Sequence, residues 1–134
     1  MILPGSIVSD MYAHSEKEAP VEACGYLAGT GTTVSQRIPM TNTDRSEEHF
    51  TLDPREQFTV MKAARREGLV ILAVYHSHPE SPAWPSEEDI RLAYDANVVY
   101  VIVSLNDGTR TIRGYRIRQG KVEEEPLSIP EKNQ

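Results

Sequence analysis

Two histidines and an aspartate stand in the sequence in an order that could bind a metal ion. His76 and His78 are two residues apart at the end of an apolar run, so in a strand both imidazoles would project from the same side of the backbone. Asp89 follows across a proline-rich loop, in the first turn of a predicted helix. Two imidazoles and one carboxylate are a common ligand set for catalytic zinc, which keeps a fourth position for water. The pattern predicts a catalytic zinc site, and the same ligands also accept iron or cobalt.

The same stretch also admits a structural interpretation. Ser86 and Asp89 have the spacing of a capping box at a helix start, where acidic side chains favour the helix dipole. A histidine at a strand end is often only a hydrogen-bonded surface group. Capping does not explain two histidines beside them on a strand that is otherwise apolar, so we favour the metal site.

The elements that position these residues follow from apolar spacing and turn residues. Helices are expected over residues 4–18, from a capping Asp53 to Gly68, and over 86–97, where Ile90, Ala93 and Tyr94 would face inward. Strands are expected over residues 24–29, 34–38, 69–75, 98–105 and 109–118, followed by an edge segment from Glu123. The apolar phase slips in the last of these strands, which predicts a β-bulge at Gly114.

These elements predict an α/β fold, a single-domain mixed β-sheet flanked by helices. The runs over residues 69–75 and 98–105 are apolar on both faces, as in strands at the middle of a sheet. A chain of 134 residues suits one domain. We place that domain at residues 1–125 and expect a frayed tail over 126–134.

Composition argues against several classes of partner. The net charge of −6 disfavours a phosphate-binding surface, so we expect no nucleic-acid partner. The N-terminal residues lack the basic start of a signal peptide, and no apolar run approaches the roughly 20 residues that span a bilayer, so we expect no signal peptide, no membrane association and a cytoplasmic location. The single cysteine, Cys24, rules out an internal disulfide. The sequence leaves the oligomeric state open.

Two separate blocks of the sequence resemble the JAMM (MPN-type) metallopeptidases. The pattern His-x-His, seven residues, Ser, two residues and Asp over 76–89 resembles that family's signature. Upstream, PVEACGYLAG at 20–29 is similar to the segment that carries the family's catalytic glutamate, and FTLDP at 50–54 to the segment before its long helix. The resemblance extends to about residue 105 and is nearest to the short prokaryotic members with a JAB domain. It implies the family's cytidine-deaminase-like (JAB1/MPN) fold.

Carried over residue by residue, the resemblance implies a complete active site. His76, His78 and Asp89 match the zinc ligands, Glu22 matches the general base, and Ser86 matches the residue that helps to hold the oxyanion and the water. The implied reaction is zinc-dependent hydrolysis of an amide or isopeptide bond at the C-terminal glycines of a ubiquitin-like protein. In prokaryotic relatives such a substrate is often a small sulfur-carrier protein, which is therefore the expected partner.

Two other functions remain open. One is a non-catalytic MPN scaffold that binds a partner protein, which the complete set of site residues disfavours. The other is a zinc hydrolase of small molecules, including a deaminase, although the usual His/Cys-Cys deaminase ligands are absent.

Four further residues have competing interpretations. Cys24 could be a nucleophile, but a buried structural thiol is the favoured reading of its small-residue strand. Trp84 is either a packing anchor or part of the substrate wall. His14 is expected to be structural, and no physical argument gives His49 a ligand role.

Overall fold

The computed structural model describes residues 1–130, and six strands of this part of the chain form one mixed sheet in the order β2-β1-β3-β4-β5-β6. The central strands β3 and β4 are parallel, and every other neighbouring pair is antiparallel. The helices are α1 Gly5–Glu18, α2 Pro54–Arg66 and α3 Glu87–Arg91. The strands are β1 Cys24–Thr30, β2 Thr33–Met40, β3 Val70–His78, β4 Val99–Ser104, β5 Thr111–Arg118 and β6 Lys121–Glu125. The predicted mixed sheet flanked by helices is confirmed.

Apolar residues cover both faces of the sheet. On one face α1 packs its buried Ile7, Val8 and Met11 against β1, β3 and β4. On the other face, one cluster forms around Cys24 and Tyr26 beneath α2, and a second forms around Ile102, Tyr115 and Ile117 beneath α3. Because β3 and β4 are covered on both sides, their residues are apolar at successive positions, as the sequence predicted.

Helix α2 begins and ends at the predicted signals. The Asp53 side chain accepts a hydrogen bond of 2.8 Å from the Arg55 backbone N–H, and Pro54 occupies the first turn. Gly68 then adopts a φ of 74°, a conformation that ordinary residues rarely reach.

Helix α3 is shorter than predicted. It ends at Arg91 rather than near Asn97, and the Tyr94 side chain is 84% exposed rather than buried. The reason is a local competition for backbone hydrogen bonds. The Asp95 carboxylate accepts from the Asn97 backbone N–H at 2.8 Å, and the Asp95 N–H donates to the Tyr100 hydroxyl at 3.0 Å. Such side-chain contacts stabilise a turn in place of another helical turn.

The predicted bulge at Gly114 is wrong, because β4 and β5 pair there without a shift in register. Ile112 packs towards α1, whereas Tyr115 and Ile117 pack on the opposite face. Both parities are apolar because both faces are covered. The glycine is needed instead for close approach, since a Cβ at this position would lie 2.9 Å from Leu127 Cδ2.

The chain remains paired beyond residue 126, where fraying was predicted to begin. The Ser128 N–H donates to the Met1 carbonyl at 2.9 Å, and the Leu3 N–H donates to the Ser128 carbonyl at 2.8 Å. Leu127 packs against the core beside α1. The last part of the predicted tail, 131–134, lies outside the described residues. Among the helices described, none has the length and apolar character needed to cross a membrane.

Candidate metal centre

His76, His78 and Asp89 meet beyond the carboxyl end of β3. The two Nε2 atoms are 3.1 Å apart, and Asp89 Oδ2 lies 3.1 Å from His76 Nε2 and 3.0 Å from His78 Nε2. Ligand atoms that share a tetrahedral zinc ion at about 2.0–2.2 Å would be roughly 3.3 Å from one another. The sequence placed these residues together, and their side-chain atoms have the spacing of a metal site.

The hydrogen bond on the far side of the His78 ring fixes its orientation. His78 Nδ1 lies 2.8 Å from the Pro82 carbonyl oxygen, which can only accept, so the proton is on Nδ1. In the neutral ring Nε2 therefore directs a lone pair at the Asp89 carboxylate. Two lone pairs at this distance repel each other unless a proton or a metal ion lies between them, and metal-bound histidines have the same kind of outer hydrogen bond.

The pKa values of Asp89 and His78 show that the candidate centre retains a negative charge. Burial opposes ionisation of Asp89, yet hydrogen bonds from His76 and His78 hold its pKa below the usual range of a carboxyl. Burial alone would lower the pKa of His78. Hydrogen bonds to the Asp89 carboxylate and the Pro82 carbonyl outweigh this effect, so the pKa of His78 lies above its usual value. The negative charge of Asp89 is therefore retained inside the protein, where a bound cation would neutralise it.

An aromatic ring supports the second histidine. Phe50 stacks on the His76 imidazole, with centroids 4.7 Å apart and planes at 28°. Phe50 belongs to the segment before α2. The sequence of that segment resembles a known family, but it does not predict this contact. No spacing rule joins a loop residue to a strand across 26 positions.

The loop that delivers Asp89 is tied to three strands through consecutive carbonyls. The Ser81 carbonyl accepts from Ser104 Oγ at 2.6 Å, the Pro82 carbonyl from the ring of His78, and the Ala83 carbonyl from the Tyr115 hydroxyl. These bonds come from β4, β3 and β5. They hold the loop that links β3 to α3 against the sheet.

Ser86 and Asp89 combine the two roles that the sequence left as alternatives. Ser86 Oγ accepts from the Asp89 backbone N–H at 3.0 Å, and Asp89 Oδ2 accepts from the Ser86 backbone N–H at 3.0 Å. This is a complete capping box. The same Oδ2 atom faces both histidines, so helix capping and convergence on the cation position occur together.

Glu22 precedes β1 and is held beside β3. The Ala23 N–H donates to Ser77 Oγ at 2.8 Å, and the Ser77 N–H donates to the Ala23 carbonyl at 2.9 Å, which places Glu22 next to the histidine-bearing end of β3. A Cβ at Gly25 would lie 2.4 Å from Tyr75 Cε2, so only glycine permits this approach of β1 to β3.

The Glu22 carboxyl is suited to proton transfer. It is 3% exposed, and its Oε1 atom has no hydrogen-bond partner among the described residues. Burial raises the pKa of Glu22 to about 8; nearby His78 opposes this, while Asp89 and Glu88 add to it. A carboxyl with a pKa near neutrality can accept a proton and release it again.

Two other residues of the sequence analysis lie away from this centre. Cys24 is buried with its thiol 3.8 Å from the Met40 carbonyl, and burial raises the pKa of this thiol to about 12, which excludes a nucleophilic thiolate near neutral pH. His14 Nδ1 lies 2.7 Å from the Tyr75 hydroxyl, on the face that α1 covers. Both have the structural roles expected of them.

His49, for which the sequence offered no argument for a ligand role, is a neighbour of the centre. Its Nε2 atom lies 3.0 Å from Asp44 Oδ2, and its Nδ1 atom lies 3.5 Å from Glu88 Oε1. It therefore connects the loop before α2 to the residue that precedes Asp89. A polar loop without periodicity gives no sequence signal for such a contact.

A cavity of about 540 Å³ extends from His76 and Asp89 across the sheet, between α2 and the segment after α3. Apolar side chains such as Leu52, Met61 and Leu92 line much of it. Among the described lining residues, the charged side chains are Glu88, Asp89 and Asp95, and none is lysine or arginine. The cavity can accept an extended apolar segment with neutral or positive groups.

Trp84 lies on the loop but outside this cavity. Its indole packs edge-on against Tyr115, with centroids 5.4 Å apart, and it remains 58% exposed. This contact supports the anchor interpretation, and a contact of its exposed part with substrate stays a prediction.

Comparison with known proteins agrees with this geometry. Residues 4–118 match the family described as prokaryotic homologs of the JAB domain. The chain is 40% identical over 134 residues to the CysO-cysteine peptidase of Mycobacterium tuberculosis, covering 98% of this chain and 92% of that protein. It is 37% identical over 122 residues to a probable TtuB-protein conjugate cleaving protease of Thermus thermophilus, covering 90% of this chain and 78% of the relative.

A solved structure supports the fold. The crystal structure of a JAB1/MPN domain protein from Archaeoglobus fulgidus superimposes with a TM-score of 0.68 at 21% sequence identity, over 98% of this chain and 100% of that one. The JAB1/MPN fold predicted from the sequence is therefore confirmed.

Proposed function

The chain belongs to the family of prokaryotic homologs of the JAB domain, and we propose that it is a zinc metallopeptidase for a ubiquitin-like protein. The proposed reaction is hydrolysis of an amide or isopeptide bond at the C-terminal glycines of a sulfur-carrier-type protein. The observation that carries this proposal is the triangle of His76 Nε2, His78 Nε2 and Asp89 Oδ2, with a buried Glu22 carboxyl near enough to interact electrostatically with His78 and Asp89. The names of the two relatives, a CysO-cysteine peptidase and a conjugate cleaving protease, support the substrate class.

The three atoms of the triangle are the proposed metal ligands. A zinc ion held there would supply a Lewis acid that lowers the pKa of a water to about 7 and polarises the scissile carbonyl. His78 is preset for this role by the Pro82 carbonyl on the far side of its ring, and Asp89 by the Ser86 N–H, which bonds to the same Oδ2 atom.

Glu22 is the proposed proton carrier. Its carboxylate would accept the proton that the attacking water loses as the water oxygen bonds to the scissile carbonyl carbon. The same carboxyl would then donate this proton to the leaving nitrogen as the C–N bond breaks. The products are the carboxylate of the carrier protein and a free amine. The free Oε1 atom of Glu22 is compatible with this exchange.

Ser86 is the proposed donor to the carbonyl oxygen. Its hydroxyl oxygen accepts from the Asp89 N–H, which leaves the hydroxyl hydrogen free to donate. The side chain is exposed, so a substrate can reach it. A hydrogen bond to the carbonyl oxygen would stabilise the negative charge that develops there.

The cavity beside the centre is the proposed site for an extended part of the substrate. Its volume of about 540 Å³ suits a few residues of peptide, and it opens at His76 and Asp89, where the scissile bond must lie. Two of its hydroxyl oxygens accept hydrogen bonds within the protein, Tyr26 from Gln57 Nε2 at 2.9 Å and Tyr100 from the Asp95 N–H. Because most of the lining side chains are apolar, shape and apolar contact would determine much of the recognition.

We also propose a cytoplasmic location. The thiol of Cys24 is free and buried, and a chain with a single cysteine does not depend on an oxidising compartment for an internal disulfide.

The test begins with metal analysis of protein purified without added metal, which we expect to contain about one zinc ion per chain. Wild type and Glu22→Gln are then incubated with a carrier protein joined through its C-terminal glycine to an amine, and the released carrier is measured by mass spectrometry. Glu48→Gln removes the same charge from an exposed nearby residue and serves as the control. Zinc-loaded wild type that is inert on every carrier adduct would contradict the proposal, and low metal content would favour a scaffold.

A further inference from the structure

A buried carboxamide holds the backbone at Glu22. Asn42 follows β2, and its Nδ2 atom lies 3.1 Å from the Glu22 carbonyl and 3.0 Å from the His49 carbonyl. Its Oδ1 atom accepts from the backbone N–H groups of Asp44 at 3.1 Å and Thr51 at 3.2 Å. The side chain therefore joins Glu22, two residues before β1, to both ends of one loop.

The same loop holds both backbone groups of Glu22. The Glu22 N–H donates to the Ser46 carbonyl at 2.9 Å, and the Glu22 carbonyl accepts from Asn42. The pairing of β1 with β3 extends one residue beyond the strand to Ala23, and Glu22 is the first residue outside it. Because Glu22 Oε1 has no partner among the described residues, that oxygen adds no anchor and the backbone contacts must aim the carboxyl.

Asn42 also connects Glu22 to the ring that supports a proposed ligand. It holds the carbonyl of His49, and the next residue, Phe50, stacks on His76. His76 itself stands on β3, so this loop supports its ring but does not place it.

Only a carboxamide offers this set of groups. Asn42 presents two donors to carbonyl oxygens and an acceptor to backbone N–H groups at one buried point. An aspartate would keep the acceptor oxygen. Its second oxygen would face the carbonyl oxygens of Glu22 and His49, which cannot donate a hydrogen bond to it.

We propose that Asn42 is a positioning residue for the hydrolysis, holding the Glu22 backbone so that its carboxyl faces the metal centre. The inference rests on the proposed function, since the position of Glu22 matters for the reaction only if Glu22 transfers the proton. It assigns Asn42 no contact with substrate or metal.

The first experiment compares Asn42→Ala and Asn42→Asp with wild type on a carrier-protein adduct. The expected result is a kcat lowered about 10- to 100-fold, with KM and zinc content changed less than about twofold, because the ligands stand on β3 and α3. Thr43→Val is the matched control. It removes the bond of 3.0 Å from Thr43 Oγ1 to the Thr51 carbonyl in the same loop without touching Glu22, and it should keep the wild-type kcat.

The second experiment repeats the Asn42→Ala change in the Glu22→Gln background, in single turnover with enzyme in excess. A residue that acts through Glu22 should alter the remaining rate by less than about twofold there. Equal fold losses in both backgrounds, or a loss that follows zinc content, would overturn the inference. If Glu22→Gln has no measurable rate, the change in kcat at constant KM and zinc content decides.

The outcomes separate the two proposals. Wild type that cleaves the adduct while both Asn42 variants match it overturns only the role of Asn42. An inert, zinc-loaded wild type overturns the proposed function and with it the reaction that Asn42 would serve. Should Asn42→Ala fail to fold, Asn42→Asp, which keeps the size and the acceptor, takes its place in both experiments.

Discussion

Phe50 lies flat against the imidazole of His76, with ring centroids 4.7 Å apart. The contact joins the loop before α2 to His76, near the carboxyl end of β3. It restricts the orientation of the imidazole that directs Nε2 towards Asp89.

Removal of this contact should weaken metal binding. We expect Phe50→Ala to raise the zinc dissociation constant by about 10-fold, since supports of a ligand contribute to affinity by orienting it. Competition with a chromophoric chelator measures this change. Phe58→Ala makes the same substitution at a side chain that is 69% exposed on α2, and it should bind zinc as wild type does. Equal affinities for all three proteins would contradict the prediction.

Metal content should distinguish the residues of the triangle from a neighbouring histidine. His78→Gln is expected to retain well under one zinc ion per chain, because it removes one of three ligand atoms. His49→Gln should retain full zinc, since its ring contacts Asp44 and Glu88 rather than the triangle. Plasma emission spectrometry after dialysis measures both, and a reversed order of the two values would count against the proposed ligand set.

The tie between Tyr115 and the loop should contribute to stability. Tyr115→Phe leaves the Ala83 carbonyl without its donor in a buried position, which costs about 1–3 kcal/mol of unfolding free energy. Urea denaturation measures the change. Tyr94→Phe removes the same hydroxyl from a side chain that is 84% exposed, and it should stay within about 0.5 kcal/mol of wild type.

The pKa of Glu22 gives the metal-free protein a specific pH dependence. Burial raises this pKa from 4.5 to about 8, so the folded state binds the proton more tightly than the unfolded chain. The contribution is fully present below pH 4.5 and is lost as the pH rises through about 8. Glu22→Gln should therefore be more stable than wild type at pH 9, and this advantage should shrink as the pH falls and disappear below pH 4.5. Thermal unfolding in excess chelator measures the difference, and a constant difference across this range would contradict the assignment.

The thiol of Cys24 should be inert in the folded protein. Burial raises its pKa from 9.0 to about 12, which lowers the thiolate fraction at pH 8 by roughly 1,000-fold. Alkylation by iodoacetamide should be slower than that of a free thiol by at least this factor and should become fast in urea. Mass spectrometry over time measures the rate, and rapid alkylation of the folded chain would show that the residue is accessible.

The sequence predicted the strands and the proximity of His76, His78 and Asp89 because both depend on local spacing. His76 and His78 share a parity on a strand that is apolar throughout, and Asp89 stands in the first turn of a helix with a clear start signal. Such patterns are visible within 15 residues. The arrangement around them is determined by residues far apart in the chain.

The errors and omissions share that cause. Helix α3 ends early because the Asp95 N–H donates to the hydroxyl of Tyr100, on the next strand. The periodicity of the sequence does not predict this contact. Gly114 was interpreted as a bulge because Leu127, which excludes a side chain there, lies 13 positions later. The link from Asn42 to Glu22 spans 20 positions and two strands. Tertiary packing overrides local pattern at each of these points.

The double use of Asp89 Oδ2 has a thermodynamic consequence. This single oxygen caps the first turn of α3 and faces both histidines, so ion occupancy and order of that turn form linked equilibria. Loading with zinc should slow hydrogen exchange at the Ser86 amide. By the same reciprocity, a substitution that loosens the turn lowers affinity for the ion even when every ligand is retained.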